Sequence, residues 1–469
     1  MTLRFTLTIL IACIFTVNQT SAQDSSFQLK DYKFRTPGVR GLELDINLSG
    51  GVLDSKVVNS NDIHYRSFNS NPSLDYFKII STDKRQHTSN FSLSPSYSSK
   101  FNSTDLTGTK TRAANLFGSW RRMDRFFFKK NTFFEIGNEF NTYGNSNRQF
   151  GGSIFSNSGR INFQDQLSAG VGKGRLENVQ DAQMAMFIVN DLKKMNLLDQ
   201  DISPEKMNEL AMLITGINNR RVFDSRRRRI YELTKVDSFF QANNFVKHSS
   251  IAYFTAVNDN WAFAFNPGRQ AGTIYYFRVR PSVRWEHSKI EQNNPSSTYK
   301  GSDRSFTYGY EPVIGIEKQK PVNLFWQKSM GASLVFVQEW RRFKSEVQNG
   351  NNPPQQPFLN DTTRSELFVN AFYAVGYYPS NRTMINVEFN IQTEYMFSNF
   401  FDQSQGFAIR PGIIVSASYF VSFRTRLSLY AGASWRYYDP GKVSPTPYVY
   451  YSRSALNANI NIGFSHILF

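Results

Sequence analysis

Residues 383–397 read TMINVEFNIQTEYMF, and apolar and polar side chains alternate through the whole stretch. Thr383, Ile385, Val387, Phe389, Ile391, Thr393, Tyr395 and Phe397 fall on one face, and Met384, Asn386, Glu388, Asn390, Gln392, Glu394 and Met396 fall on the other. Side chains on a strand change face at every residue, so this is a β-strand with one greasy and one wet side. It is more than twice the usual soluble strand of ~5–6 residues. The alternation recurs through the second half of the chain and runs to the terminal Phe469. The expected fold is therefore all-β: an antiparallel transmembrane barrel with one face to lipid and the other to a polar lumen.

The first 22 residues fit an export signal, with Arg4, an apolar run over residues 5–17 and the small ending Thr20-Ser21-Ala22. That run is too short for a helical span of ~20 residues. Leu10-Ile11-Ala12-Cys13 offers a second reading as a lipoprotein cleavage box, and both readings take the protein out of the cytoplasm. Cys13 is the only cysteine, so ordinary cleavage leaves a chain without disulfides or thiolate zinc sites. Aromatic residues make up 15%, with 43 Phe and 23 Tyr, yet mean hydropathy is −0.44. A barrel reconciles the two, because only alternate residues need be apolar. A large secreted β-sandwich or β-helix is the competing fold, disfavoured by strand length and by the aromatic supply for interfacial girdles. The net charge of +17 points to anionic partners, with lipid and lipopolysaccharide phosphates the candidates at the outer membrane and no nucleic acid.

The chain divides into a signal peptide (1–22), a periplasmic lead (23–40), a first set of strands (41–171), a helical insertion (172–244) and a second set of strands (245–469). Strand patterns cover residues 42–53, 63–80, 87–101, 112–120, 132–143 and 160–171. Polar runs such as residues 144–159 read as loops between them. Over residues 172–244 the period becomes helical. Val179, Ala182, Met186, Val189 and Met195 share a side. Ser203-Pro204-Glu205 opens a second helix, and a third covers residues 222–240. Strands resume at residues 245–257, 261–265, 273–287, 305–317, 322–340, 366–378, 383–397, 406–422, 424–438 and 448–469. The count is sixteen, within 14–18. Short connections alternate with long ones, and barrels keep their short turns in the periplasm. If residues 261–265 form a strand, parity puts the insertion of about 70 residues in the periplasm as well; if they are loop, it lies outside.

Arg278, Arg280, Arg284, Arg410, Arg424, Arg426 and Arg436 lie on wet faces, where a ring of arginines favours anions. An internal ion-pair network is the other reading, because Glu311, Glu317, Glu339, Glu366, Glu388 and Glu394 share those faces. A symmetric hairpin about residues 401–403 puts Glu394 opposite Arg410. Arg226, Arg227, Arg228 and Arg229 form the densest charge run, either docked on an anionic or protein surface or solvated and paired with Asp201, Asp224 and Glu232. The run Gly170-Val171-Gly172-Lys173-Gly174-Arg175 meets neither phosphate-loop spacing nor the dinucleotide fingerprint, and glycines where a strand hands over to a helix account for it. His64, His87, His248, His287 and His466 lack the spacing of a metal site or a nucleophile–base pair, so no metal, cofactor or catalysis is expected.

The ending Asn461-Ile462-Gly463-Phe464-Ser465-His466-Ile467-Leu468-Phe469 resembles the C-terminal signal by which barrels are handed to the barrel-assembly machinery, with Phe469 as the final aromatic. Gly463 and Ser465 depart from that pattern, since the apolar set Leu456, Ala458, Ile460, Ile462 and Phe464 has the opposite parity. The aromatic-rich strands and helical insertion resemble an uncharacterised family of outer-membrane β-barrel proteins of Gram-negative, Bacteroidetes-like bacteria. The resemblance implies architecture and no activity. Expected functions are a porin-like channel or transporter, gated or partner-coupled through the helices, or an anchor whose helices bind a periplasmic or envelope protein. An unpaired arginine constriction favours the first, and an ion-paired lumen beside a long insertion favours the second.

Overall fold

The computed structural model describes residues 27–55, 63–104, 108–151, 154–219, 225–246, 250–262, 269–294, 297–350, 352–353, 355–398, 406–422, 425–439 and 454–466. The expected signal peptide, with Cys13, and Phe469 lie outside them. Fourteen strands follow in chain order: β1 (Thr36–Ser55), β2 (Ile63–Ser81), β3 (Arg85–Thr104), β4 (Gly108–Phe127), β5 (Thr132–Gly151), β6 (Ile154–Asn178), β7 (Gln270–Asn294), β8 (Ser297–Pro321), β9 (Trp326–Asn349), β10 (Phe358–Ser380), β11 (Thr383–Ser398), β12 (Gly406–Ser422), β13 (Thr425–Asp439) and β14 (Ser454–His466). Each pairs antiparallel with its sequence neighbours in one sheet of order β1 to β14. Four helices stand between β6 and β7: α1 (Gln180–Lys194), α2 (Pro204–Asn218), α3 (Ser225–Ala242) and α4 (Ile251–Ala262).

Among the described residues the sheet has fourteen strands instead of sixteen, because α4 (Ile251–Ala262) stands where the sequence pattern places strands at 245–257 and 261–265, of which residues 247–249 and 263–265 lie outside the described residues. In α4 the buried residues are Tyr253, Ala256, Val257, Asn260 and Trp261, a helical spacing that its β-branched and aromatic residues disguise. The helical stretch consequently runs over residues 180–262 rather than 172–244, and β6 continues to Asn178. Removing two strands leaves parity unchanged, so the helices lie at the end that holds the short turns after β2, β4, β8 and β10. The polar stretches 144–159, 288–304 and 341–363 are largely strand, not loop. Their backbones pair in full register, as in Asn145↔Arg160 and Ser288↔Asp303. At 25 residues, β6, β7 and β8 exceed twice the ~9–11 residues a bilayer requires. Ends that project into water have no reason to alternate.

Register assigns every strand face. Val171, Phe277, Ile314, Leu334 and Val369 are successive cross-strand partners and form one apolar row on the outer face. Phe389 on the quoted strand is 52% exposed, while Glu394 on its other face is buried. The outer residues of β1 and β14 are still more exposed, Leu42 at 69% and Ile462 at 82%, because among the described residues each strand has a neighbour on one side only.

The sheet curls. Laid flat, β1 and β10 would be nine spacings apart, about 43 Å. Yet one helical unit, whose α1 is about 22 Å long, touches the start of β1 and the turn after β10. Asn219 Nδ2 donates to Thr36 Oγ1 at 2.9 Å, and Asn381 Nδ2 donates to Asn260 Oδ1 at 2.9 Å. Val179, Ile188, Leu210, Ile214, Val236, Phe240, Tyr253 and Trp261 make the core of that unit, joined by Leu29 and Tyr32 from the lead. Ser203 caps α2 by accepting from the Lys206 amide, with Pro204 at the first helical position.

Candidate functional site

The wet faces of β4 to β12 line the inside of the curl. On this lumenal wall stands Glu135, fully buried on β5. Arg125 Nε on β4 donates to its Oε2 at 3.0 Å, and Arg278 on β7 reaches its Oε1 at an ion-pair distance of 2.8 Å. Glu135, Gly170 and Arg278 are cross-strand partners in succession. A Cβ at Gly170 would come within 2.8 Å of Arg278 Cβ, so the glycine lets the arginine pass over β6 to its carboxylate. The Arg278 guanidinium also lies 4.0 Å from the centre of the Tyr276 ring. Next to this triad, Arg280 and Glu311 face each other in register at 2.6 Å, and Arg121 pairs with Glu139 at 2.8 Å. A second cluster joins Arg364 to Glu366 and Glu339, and Arg410 to Glu394 at 2.9 Å.

The seven arginines named from sequence therefore separate. Arg278, Arg280 and Arg410 are neutralised by carboxylates. Arg426 lies over Phe420, its charge 5.6 Å from the ring centre, and Arg436 lies 5.4 Å from that of Tyr438. Arg284 has Gln164 and Thr307 as cross-strand neighbours, neither of them acidic. Arg424 lies outside the described residues. Glu394 does not stand directly opposite Arg410: its partner is Ala408, Arg410 faces Gln392, and the ion pair forms on the diagonal. The hairpin centre is one residue earlier than the symmetric one. Glu388 accepts from Asn390 at 3.4 Å. Arg125 lies beyond the strand pattern that stops at residue 120, whereas Glu135 falls inside the 132–143 strand, where its alternation with Phe134 and Ile136 sets its face but not its counter-ion.

The helical unit closes over the short-turn end. Gly174 and Gly272, with φ of +100° and +128°, bend β6 and β7 where they leave the wall; a Cβ at either would lie 2.0 Å from a carbonyl oxygen of the facing strand. Arg269, 1% exposed, donates to the carbonyls of Leu324 (2.5 Å), Asn323 (2.9 Å) and Trp326 (2.9 Å) in the turn after β8 and to Gln327 Oε1 (2.9 Å). Burial brings its pKa down to about 10, so it stays charged at neutral pH. Phe187 of α1 meets Phe325 of the same turn, ring centres 6.1 Å apart, and Asp259 of α4 is bonded to Arg382 in the turn after β10. On α3, Arg228 and Arg229 share Glu232 at 2.7 and 3.3 Å, and Arg227 is exposed; the Arg226 side chain lies outside the described residues.

The lead is tied to the helices through Tyr32, bonded to Thr215, which donates to Asp181 Oδ2 at 2.6 Å; Asn218 Nδ2 reaches Oδ1 at 3.1 Å. Burial pushes the Asp181 carboxyl above its usual range, and the Thr215 and Asn218 bonds only partly offset it. An acid whose folded pKa is raised contributes stability below the unfolded pKa of ~3.9 and loses it as pH rises through the folded value. Thermal unfolding of the helical signal should therefore shift toward lower temperature between about pH 4 and pH 7 by more in the native protein than in Asp181→Asn. Parallel pH profiles of the two would refute this account of Asp181.

These features define a class: a curled, fourteen-stranded antiparallel sheet, greasy outside and ion-paired inside, with a helical cap on its short-turn end. No family model matches the chain, and no curated protein matches it in sequence. Among solved structures it is similar to the translocator domain of autotransporter NalP from Neisseria meningitidis, with 9% identity over 82% of this chain and 89% of that one. The TM-score of that likeness is 0.27.

Proposed function

We propose that the protein is an outer-membrane β-barrel acting as a porin-like channel or transporter whose helical unit gates the periplasmic mouth. The observation that carries this reading is the cap: one helical body bonded at once to the start of β1 and to the turn after β10, with Phe187 packed on Phe325 in the turn after β8. Such a body spans the mouth of the curl instead of hanging beside it. The outward apolar row supports the membrane setting, and lipid and lipopolysaccharide are the partners that setting implies. No reaction is assigned to it. The neutralised arginines argue for weak ion selectivity rather than a basic filter. The same pairing favours a second reading, an anchor whose helices hold a periplasmic or envelope protein.

Single-channel recording of the full-length protein in planar bilayers tests the proposal. Brief openings of low occupancy, with chloride and potassium passing at similar rates, are the expected result. Folded protein that stays silent at every voltage, with and without its helices, would shift the assignment to the anchor.

A further inference from the structure

The lumenal wall changes character between β7 and β12. A cavity of about 360 Å³ opens there, within the range of small-molecule sites. Two aromatic rings sit close over glycines of its wall. Phe372 faces Gly331 across β9 and β10, and a Cβ on that glycine would sit 2.5 Å from the ring. Tyr276 lies in the same way on its partner Gly315. Arg278 occupies the face of Tyr276, which leaves the Phe372 ring as the apolar platform. Around it stand Glu317, Asn370, Glu388, Asn390 and Gln392.

Among the described residues, no lysine or arginine lines this cavity. Glu317 and Glu388 accept hydrogen bonds from neutral amides, those of Gln319 and Asn390. Anions are therefore repelled, in contrast with the arginine-rich wall nearby. Carboxylates accept hydroxyl protons, and carboxamides both donate and accept. A flat ring offers its face to aliphatic C–H groups. Only a ligand with hydroxyls at its rim and a C–H face uses all three.

We propose that this cavity binds neutral saccharide, one sugar ring stacked on Phe372 with its hydroxyls held by Glu388, Asn390, Gln392 and Glu317. The inference names the solute class for the channel reading and rests on it. Calorimetric titration of full-length protein in detergent with maltotriose, beside Phe372→Leu and Glu388→Gln, separates the two. Saturable binding, weakened about tenfold by loss of the ring face and insensitive to salt, is expected. Absence of saturable heat in folded native protein overturns the site, as does equal affinity in both variants or tighter binding of a trisaccharide of uronic acids. Because calorimetry needs no current, binding by a protein silent in bilayers would sink the channel and keep the site. Conduction without binding would do the reverse.

Discussion

Replacing Glu135 by alanine is expected to destabilise the sheet by about 3–5 kcal/mol, the cost of leaving buried charge without its counter-ion. The substitution strands two cations: Arg125 and Arg278 remain on the wall, with side chains 21% and 16% exposed. Their mutual repulsion adds to the loss. By contrast, replacing all three residues together, with Glu135→Leu, Arg125→Met and Arg278→Met, should recover most of that stability, since apolar side chains of similar volume often substitute for buried ion pairs without cost. Urea unfolding in detergent, followed by loss of the compact band on unheated gels, measures both. Equal midpoints for Glu135→Ala and the native protein would show that the triad does not hold β4, β5 and β7 together.

The apolar outer face of the sheet was legible in its sequence. On β7 and β11 the outer residues Tyr275, Phe277, Val283, Trp285, Phe389 and Tyr395 are those the alternation assigns, because lipid tolerates no polar side chain at those positions. Where strands rise out of the lipid, as in Asn145–Arg160 pairing, the constraint lapses and the pattern dissolves into serine, asparagine and glycine. The fourth helix was hidden by composition: Ile251, Tyr253, Phe254, Thr255 and Val257 suit strands, and only burial at Tyr253, Val257 and Trp261 fixes the period. The lumenal network was half visible. Arginines and glutamates could be placed on wet faces, but who pairs with whom depends on register between strands, and a single residue of hairpin offset moved Glu394 off the position facing Arg410. The contact of Arg278 with Glu135 also needs Gly170 between them, a relation across strands far apart in sequence that no local pattern contains.

Excising the helical cap should produce the largest functional change. Asn178 and Gln270 are cross-strand partners at the foot of β6 and β7, so a short glycine-rich turn can join them in place of residues 179–269 and leave the ladder intact. The deletion removes Arg269 and, with it, the bonds to Leu324, Asn323 and Trp326, so the turn after β8 loses its clamp. It also removes the partners of Thr36, Asn381 and Arg382. These are peripheral to the fourteen-stranded ladder, and the shortened protein is expected to keep its strand signal by circular dichroism. In planar bilayers its current should be steady where the full-length protein opens rarely, with a rise of at least about tenfold in open time, the change that loss of about 1.4 kcal/mol of closing energy produces. A milder variant keeps the test honest against a deletion that merely loosens the wall: Arg382→Ala cuts the bond to Asp259 while sparing every strand, and should raise open time in the same direction by less. A cap that leaves conductance unchanged whether present, loosened or absent does not lie across the path, and the anchor reading would then take its place.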